Sequence, residues 1–311
     1  LISGPSIKLI ESINPAAQGY LGGMGLPIIF SWFVGGILSA GVAYVIGKIC
    51  LGLRSDYLAI STLLISGIIV SVIKHEEWLS RGVKNVIGLK RPAPYEVNLQ
   101  NSEWFINFIE TMHFWGPATK DVIISSSGIF VKLCFTIIFT ITLLALLFLS
   151  ERAVNSPWGR MMRAIRDNET AAKAMGKNIV KQQLNIFMIG SAIIGFAGAM
   201  LVTYDGLFTP SSYQPLRYTF LIWVMVLLGG SGNNYGSILG GFAVWFIWIE
   251  SAPVALFLIN SFTFFLDYSN PIRLHLIESV PYFRYLMMGI GLLLVMRYKP
   301  EGLLPEKKIN F

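Results

Sequence analysis

Long apolar runs alternate with short polar segments along this chain, and several runs are long enough to cross a bilayer. A span needs about 20 mostly apolar residues, and a shorter run serves when its flanking side chains snorkel to the interface. The runs 28–49 (broken only by Lys48), 57–73, 129–150 (Lys132 alone) and 184–204 meet that test. Run 218–229 is shorter and is followed by a glycine-rich knot. Run 235–265 contains only Glu250, with Pro253 just beyond it, and run 282–296 carries only Arg284. The pattern predicts about seven helical crossings.

Composition agrees. Of 311 residues, 54% are hydrophobic and 13% charged, against roughly 25% charged in soluble domains. So little charge cannot clothe a soluble surface. An ordinary cytosolic enzyme, a disordered chain, a collagen-like fibre and a disulfide scaffold are excluded. The expected fold class is an all-α integral membrane protein, a polytopic helical bundle forming one transmembrane domain over 1–311, with the lipid bilayer as its first partner. Cys50 and Cys134 lie in apolar runs, where a thiol acts as a small core hydrophobe. The chain begins at Leu1 with a polar stretch, and a truncated N-terminus is expected.

The net charge of +7 would suggest nucleic acid in a soluble chain. Here it marks sidedness, and no nucleic-acid partner is expected. The loop 151–183 holds seven Lys/Arg against three Asp/Glu, and the tail from Arg297 holds four against two. The long loop 74–128 holds six of each. Positive-inside logic places loop 151–183 and the tail 298–311 in the cytoplasm, and loop 74–128 outside. The parity closes, because four crossings separate loop 151–183 from the tail. Trp78, Trp104 and Trp115 place parts of the outer loop at the interface.

Within the cytoplasmic loop, Ser156-Pro157 reads as a helix start, a capping hydroxyl followed by proline in the first turn. Trp158, Met162 and Ile165 form one apolar stripe, Arg160, Arg163 and Asp167 take the other side, and Gly176 is the expected stop. Such a helix either lies on anionic lipid or docks into a groove of a soluble partner.

The segment GRMMRAIRDNETAAKAMG at 159–176 resembles the cytoplasmic loop of branched-chain amino acid ABC transporter permeases of the LivM type. Gly159, Arg160, Arg163, Ala164, Ile165, Arg166, Glu169, Ala171, Ala172, Met175 and Gly176 match that family's pattern. LRSDYLAISTL at 53–63, the small residues of 191–199, LLGGSGNNYGSILGG at 227–241 and KPEGLLP at 299–305 resemble further family blocks. The family's N-terminal spans have no counterpart here. The resemblance implies a multi-pass permease subunit in the inner membrane of a prokaryote. Its expected partners are two soluble ABC ATPase subunits, a second similar permease and an extracytoplasmic solute-binding protein. Gly159, Arg160, Arg163, Arg166, Glu169, Ala172 and Gly176 would couple to the ATPase. No cofactor is expected on this chain, with ATP and magnesium on the ATPase. No Walker A string (Gly-x-x-x-x-Gly-Lys-Ser/Thr) occurs in the sequence, so neither ATP hydrolysis nor any other enzymatic activity is expected of it.

Gly190, Gly195 and Gly198 belong to a small-residue helix of the kind that packs closely in lipid. Gly229, Gly230, Gly232 and Gly236 interrupt an apolar region, which makes them candidates for a substrate path or hinge, or for a tight turn at the membrane edge. Glu250 is the clear ionisable group inside a run, since Asp205 and Arg217 sit at run ends. It is either interfacial or a cavity residue. His75, His113 and His275 lack metal-ligand spacing, and no metal site is expected. The sequence departs from the family at Gly67 and Val70, where a glutamate and an arginine are frequent, in the outer loop around Gly82, and at Tyr218. A branched-chain or other small apolar or zwitterionic amino acid is the expected cargo. Urea, an amide or another small polar solute is the alternative within the class, and an ion-coupled carrier using Glu250 the alternative outside it.

Overall fold

A computed structural model describes residues 27–76, 83, 85–87, 89, 91–112, 119–210, 215–264, 267 and 270–306. Trp78, Gly82, His113 and Trp115 lie outside the described residues. The chain divides into two compact units, Leu1–Tyr213 and Gln214–Phe311.

In the first unit, α1 (Ile28–Cys50) and α2 (Ser55–His75) are followed by the short strand β1 (Val86–Ile87) and two short helices, α3 (Glu96–Gln100) and α4 (Glu103–Met112). Then come α5 (Lys120–Asn155), α6 (Pro157–Asp167), α7 (Glu169–Ala174), α8 (Ile179–Asp205) and β2 (Leu207–Phe208). The second unit contains α9 (Pro215–Gly229), α10 (Asn234–Phe262), α11 (Pro271–Glu278) and α12 (Val280–Tyr298). Among the described residues, six helices are long and apolar enough to span a bilayer: α1, α2, α5, α8, α10 and α12. The short seventh run forms α9, whose 15 residues rise only about 22 Å. The protein is therefore an all-α polytopic membrane protein. Its strands are two residues each, pairing antiparallel with Val86 opposite Phe208 and Ile87 opposite Leu207.

The first unit is built on the pair α1 and α8. Lipid tails are as apolar as leucine, so helices in a bilayer associate by close packing and hydrogen bonds rather than by hydrophobic drive. The buried residues of α1 include Trp32, Gly36, Ala43, Gly47 and Cys50, at helical spacing on one face. A Cβ at Gly36 would fall 2.9 Å from the Ala192 carbonyl oxygen, and one at Gly195 would fall 2.5 Å from Ser39 Cβ. Two hydrogen bonds cross the seam, from Trp32 Nε1 to Thr203 Oγ1 at 2.9 Å and from Ser39 Oγ to the Ser191 carbonyl at 2.8 Å. Phe196 stacks edge-on against Trp32, its ring centroid 6.0 Å away.

The described part of the long loop 74–128 packs on α5 and on the end of α8. Leu99 and Phe105 of α3 and α4 pack with Val131 and Phe135 of α5, and Gln100 Nε2 donates to Ser127 Oγ at 3.0 Å. Val86 is wholly buried and Leu89 nearly so, packed with Val202 and Phe208 at the end of α8. Gly206 ends α8 in a left-handed turn, φ +69°, and the Arg91 guanidinium lies against it. A cation there faces the negative end of the helix dipole.

The α1–α8 seam yields a test. Gly36→Leu should push the helices apart and lower the melting temperature of the detergent-solubilised chain by several degrees. Gly41→Leu, on the same helix but pointing into open space among the described residues, should leave it unchanged. Equal melting of the two variants in a thermal gel-filtration assay would refute the seam.

Candidate functional site: the loop corner and the glycine turn

The α5–α6 corner turns on a single residue. Ser156 ends α5 and starts α6 in an extended conformation, φ −75° and ψ 168°. Its hydroxyl works in both directions, donating to the Ala153 carbonyl at 2.6 Å and accepting from the Gly159 N–H at 3.3 Å. One side chain thus serves an orphan carbonyl of one helix and an orphan N–H of the next. Pro157 occupies the first turn, where its missing N–H costs nothing. A Cβ at Gly159 would run into the carbonyls of Val154 and Ala153, so the corner can close this tightly only with glycine there.

Two of the loop arginines close the same corner. Arg160 donates to the Asn155 carbonyl at 3.3 Å, and Arg163 to the Val154 carbonyl at 3.2 Å. Both carbonyls belong to the last turn of α5, the negative end of its dipole. Arg166 pairs instead with Asp167 at 3.1 Å. Both are more than half exposed, so the pair contributes little to stability.

The amphipathic segment is two helices rather than one. Asn168 adopts an extended conformation, φ −152° and ψ 97°, and its side chain accepts from Ala171 N at 2.9 Å. Asparagine competes with the helix for its own backbone partners, which makes it a cap more readily than an interior residue. The bend folds Ala172 onto Ile165 and Ile179, with Met161 and Met162 packed against them. Trp158 is only half-buried. Gly176 then ends α7 at φ +74°, with Lys177 N bonding the Ala172 carbonyl at 3.3 Å and Gly176 N the Lys173 carbonyl at 3.0 Å. These are the two bonds of a Schellman stop. What the corner leaves outside is its tip, where Met175 is 80% exposed. Sequence reading included Met175 in the family match but did not single it out for function. Its signal was an apolar side chain beside a glycine stop, off the Ile165 stripe.

Glu169 stands apart from the arginines. It lines a cleft of about 580 Å³ together with Leu51, Leu53 and Leu58, and with Gln183, Phe187, Gly190 and Ile194 of α8. The cleft brings the connector between α1 and α2 to the loop. Gly190 therefore borders the cleft, Gly195 sits in the α1 seam, and the Cβ direction of Gly198 is open among the described residues.

In the second unit, α9 and α10 form a hairpin whose backbones touch. A Cβ at Gly229 would overlap the Gly236 carbonyl, and one at Gly240 the Met225 carbonyl. Gly230 takes φ +119° and Gly232 φ +91°, values that side chains rarely tolerate. Asn233 caps α10, accepting from Tyr235 N at 3.0 Å and Gly236 N at 3.4 Å. The segment after α12 closes the turn. Leu303 N and Leu304 N donate to the carbonyls of Leu228 and Gly229 at 3.0 and 2.9 Å, and Asn233 Nδ2 donates to the Pro305 carbonyl at 3.2 Å. The blocks 227–241 and 299–305 are thus one assembly. Gly229, Gly230, Gly232 and Gly236 come together in a closed turn lined by the tail. The end of α9 and the segment after α12 share one side of the unit, as the parity of crossings requires.

Beneath the turn, Leu221, Val224 and Leu228 of α9 pack with Val244 and Trp248 of α10 and Met288 of α12. The Arg284 guanidinium lies over the Trp248 ring, 5.5 Å from its centroid. Glu250 is exposed on α10. Pro253 lies inside α10, which runs through it. No group of three His, Cys, Asp or Glu able to hold a metal occurs among the described residues.

Comparison with known proteins gives a consistent picture. The family described as branched-chain amino acid transport system, permease component, matches residues 15–296. A probable branched-chain amino acid transport permease protein LivM of Methanocaldococcus jannaschii is 29% identical over 99% of this chain and 76% of its own length. The high-affinity branched-chain amino acid transport system permease proteins LivM of Salmonella typhimurium and Escherichia coli are 25% and 24% identical. The matches cover 87% and 88% of this chain, and the chain spans only 56% of each of those two relatives. No solved structure matches.

The turn can be probed through its cap. Asn233→Ala removes both the cap of α10 and the bond to the tail, a loss of about 1 kcal/mol for the cap alone. Limited digestion with a glutamate-specific endopeptidase should then cut after Glu301 several-fold faster than in the parent chain. An unchanged cutting rate would show that the tail is held without Asn233.

Proposed function

The chain belongs to the branched-chain amino acid transport permease family, and from that premise we propose that it is the membrane subunit of an ABC importer. It is a multi-pass inner-membrane protein. Its proposed cargo is a branched-chain or other small apolar, zwitterionic amino acid. Its proposed partners are two soluble ATPase subunits, a second similar permease and an extracytoplasmic solute-binding protein, with ATP and magnesium held by the ATPases.

The observation that best supports this reading is the preorganised corner at 156–176. Ile165, Ala172 and Ile179 are spent on its own small core, and Arg160 and Arg163 on the end of α5. Such a corner is stiff, and its free surface is the tip around Met175, Lys173 and Lys177. A lipid-bound helix would instead keep an apolar face for the membrane. In the proposed cycle, ATP closes the ATPase dimer and displaces the tip. Ser156, Arg160 and Arg163 carry the displacement to α5. Ile179, which packs on Ile165 and Ala172, carries it to α8 and hence to α1.

This division of labour selects the variant to test. Arg163→Glu would place an anion at the negative end of α5 and disturb the corner itself, so the tip is the cleaner target. Met175→Glu should leave the chain inserted and folded. It should reduce at least tenfold both the ATPase subunit recovered with the chain, quantified by mass spectrometry, and leucine uptake in vesicles. Full recovery of a P-loop ATPase with that variant would remove the tip from the docking surface. Absence of any ATPase from the parent preparation would sink the importer reading.

A further inference from the structure

The interior charge on α10 is unaccounted for by packing. At about 1.5 Å per residue, Glu250 lies about 24 Å from the Asn234 end of α10 and about 18 Å from the Phe262 end. The helix is about 43 Å long, and the hydrocarbon core is about 30 Å thick. Every 30 Å window along α10 therefore contains Glu250. Ionisable groups at such depth face a cavity, water or a partner group rather than lipid. Glu250 makes no hydrogen bond or ion pair among the described residues. The nearby cation does not neutralise it, because Arg284 sits on Trp248, whose side chain leaves α10 on the opposite face.

Two further features lie on the same stretch of α10. Pro253 has no N–H, so the carbonyl of Ile249, four residues earlier, is without its helix donor. A backbone acceptor thus lies beside a carboxylate acceptor. On the same face Phe246, 66% exposed, stands about 6 Å away along the axis, with Phe242 and Phe257, 69% and 70% exposed, about 10–12 Å off on either side. The face therefore offers two acceptors among aromatic rings, a combination that suits a cation with an apolar body. Ring faces attract ammonium groups, while an anion or a bare hydrocarbon would leave the carboxylate uncompensated.

We infer that Glu250 and the Ile249 carbonyl form a mid-membrane acceptor site that receives the ammonium group of a small apolar amino acid in transit, with the phenylalanine face against its side chain. This rests on the importer reading and adds to it a substrate-contacting group. A donor side chain of a neighbouring membrane helix is the rival occupant.

The test uses the whole transporter with its partner subunits in proteoliposomes, with Cys50 and Cys134 replaced by alanine and Phe246→Cys introduced. A water-soluble trimethylammonium methanethiosulfonate should label that cysteine. Leucine should slow labelling at least fivefold during ATP turnover. Adding Glu250→Gln should abolish the protection, and Glu250→Asp should retain most of it. A cysteine that water-borne reagent never reaches would assign the face to lipid or to a partner helix and overturn the inference. So would protection that survives Glu250→Gln. Leucine uptake and bound ATPase are measured in parallel vesicles of the chain with native Phe246 and Glu250. A failed importer reading shows itself in those readings, and a failed site only in the labelling.

Discussion

Backbone-to-backbone proximity is the constraint on which this molecule depends. In lipid, apolar side chains gain nothing by leaving the solvent for one another, so helices hold together where their axes come close enough for dispersion and polar contacts. Each unit shows such a helix–helix approach among its described residues. In the first, Gly36 and Gly195 let α1 and α8 approach until Ser39 reaches a carbonyl and Trp32 reaches Thr203. In the second, Gly229, Gly236 and Gly240 let α9 and α10 touch. The remaining apolar surface of the long helices stays on the outside of the chain, where a soluble protein would have buried it.

A second constraint follows from the first. Helices this long end in carbonyls that need donors wherever water is scarce. The chain meets that need with groups from elsewhere in the sequence. Ser156, Arg160 and Arg163 close α5, Leu303 and Leu304 close α9, and Arg91 lies over the end of α8. Near the end of α10, the buried Arg273 donates to Asn260 Oδ1 at 3.0 Å. Arg160 and Arg163 are therefore first of all structural. They make the corner rigid, and rigidity is what a transmitted push requires.

Much of this was legible in the sequence. The span pattern needs only hydropathy, and Ser156-Pro157 and Gly176 announce their turns through local chemistry. The break at Asn168 was legible in principle, but the amphipathic period across 158–165 masked it. The α1 half of the seam was not found, because Gly36, Ala43 and Gly47 were read only as part of an apolar run, although their spacing marks one face. The joining of 227–241 to 299–305 could not be read at all, since a pairing across some seventy residues leaves no periodic trace. The roles of Arg160 and Arg163 escaped for the same reason. A surface-facing arginine and a carbonyl-capping arginine look alike until the turn that separates them is known.

The tail strap sets an order of assembly. Chains fold broadly from the N-terminus as they are made, and α9 and α10 emerge well before residues 303 and 304. Until that last segment arrives, the hairpin carries two open carbonyls at its glycine turn and has no α12 against its core. The second unit is thus closed by the segment after α12, much as a drawstring closes a bag. Quality control that senses unsatisfied backbone in the membrane would meet an incomplete chain here as an open hairpin.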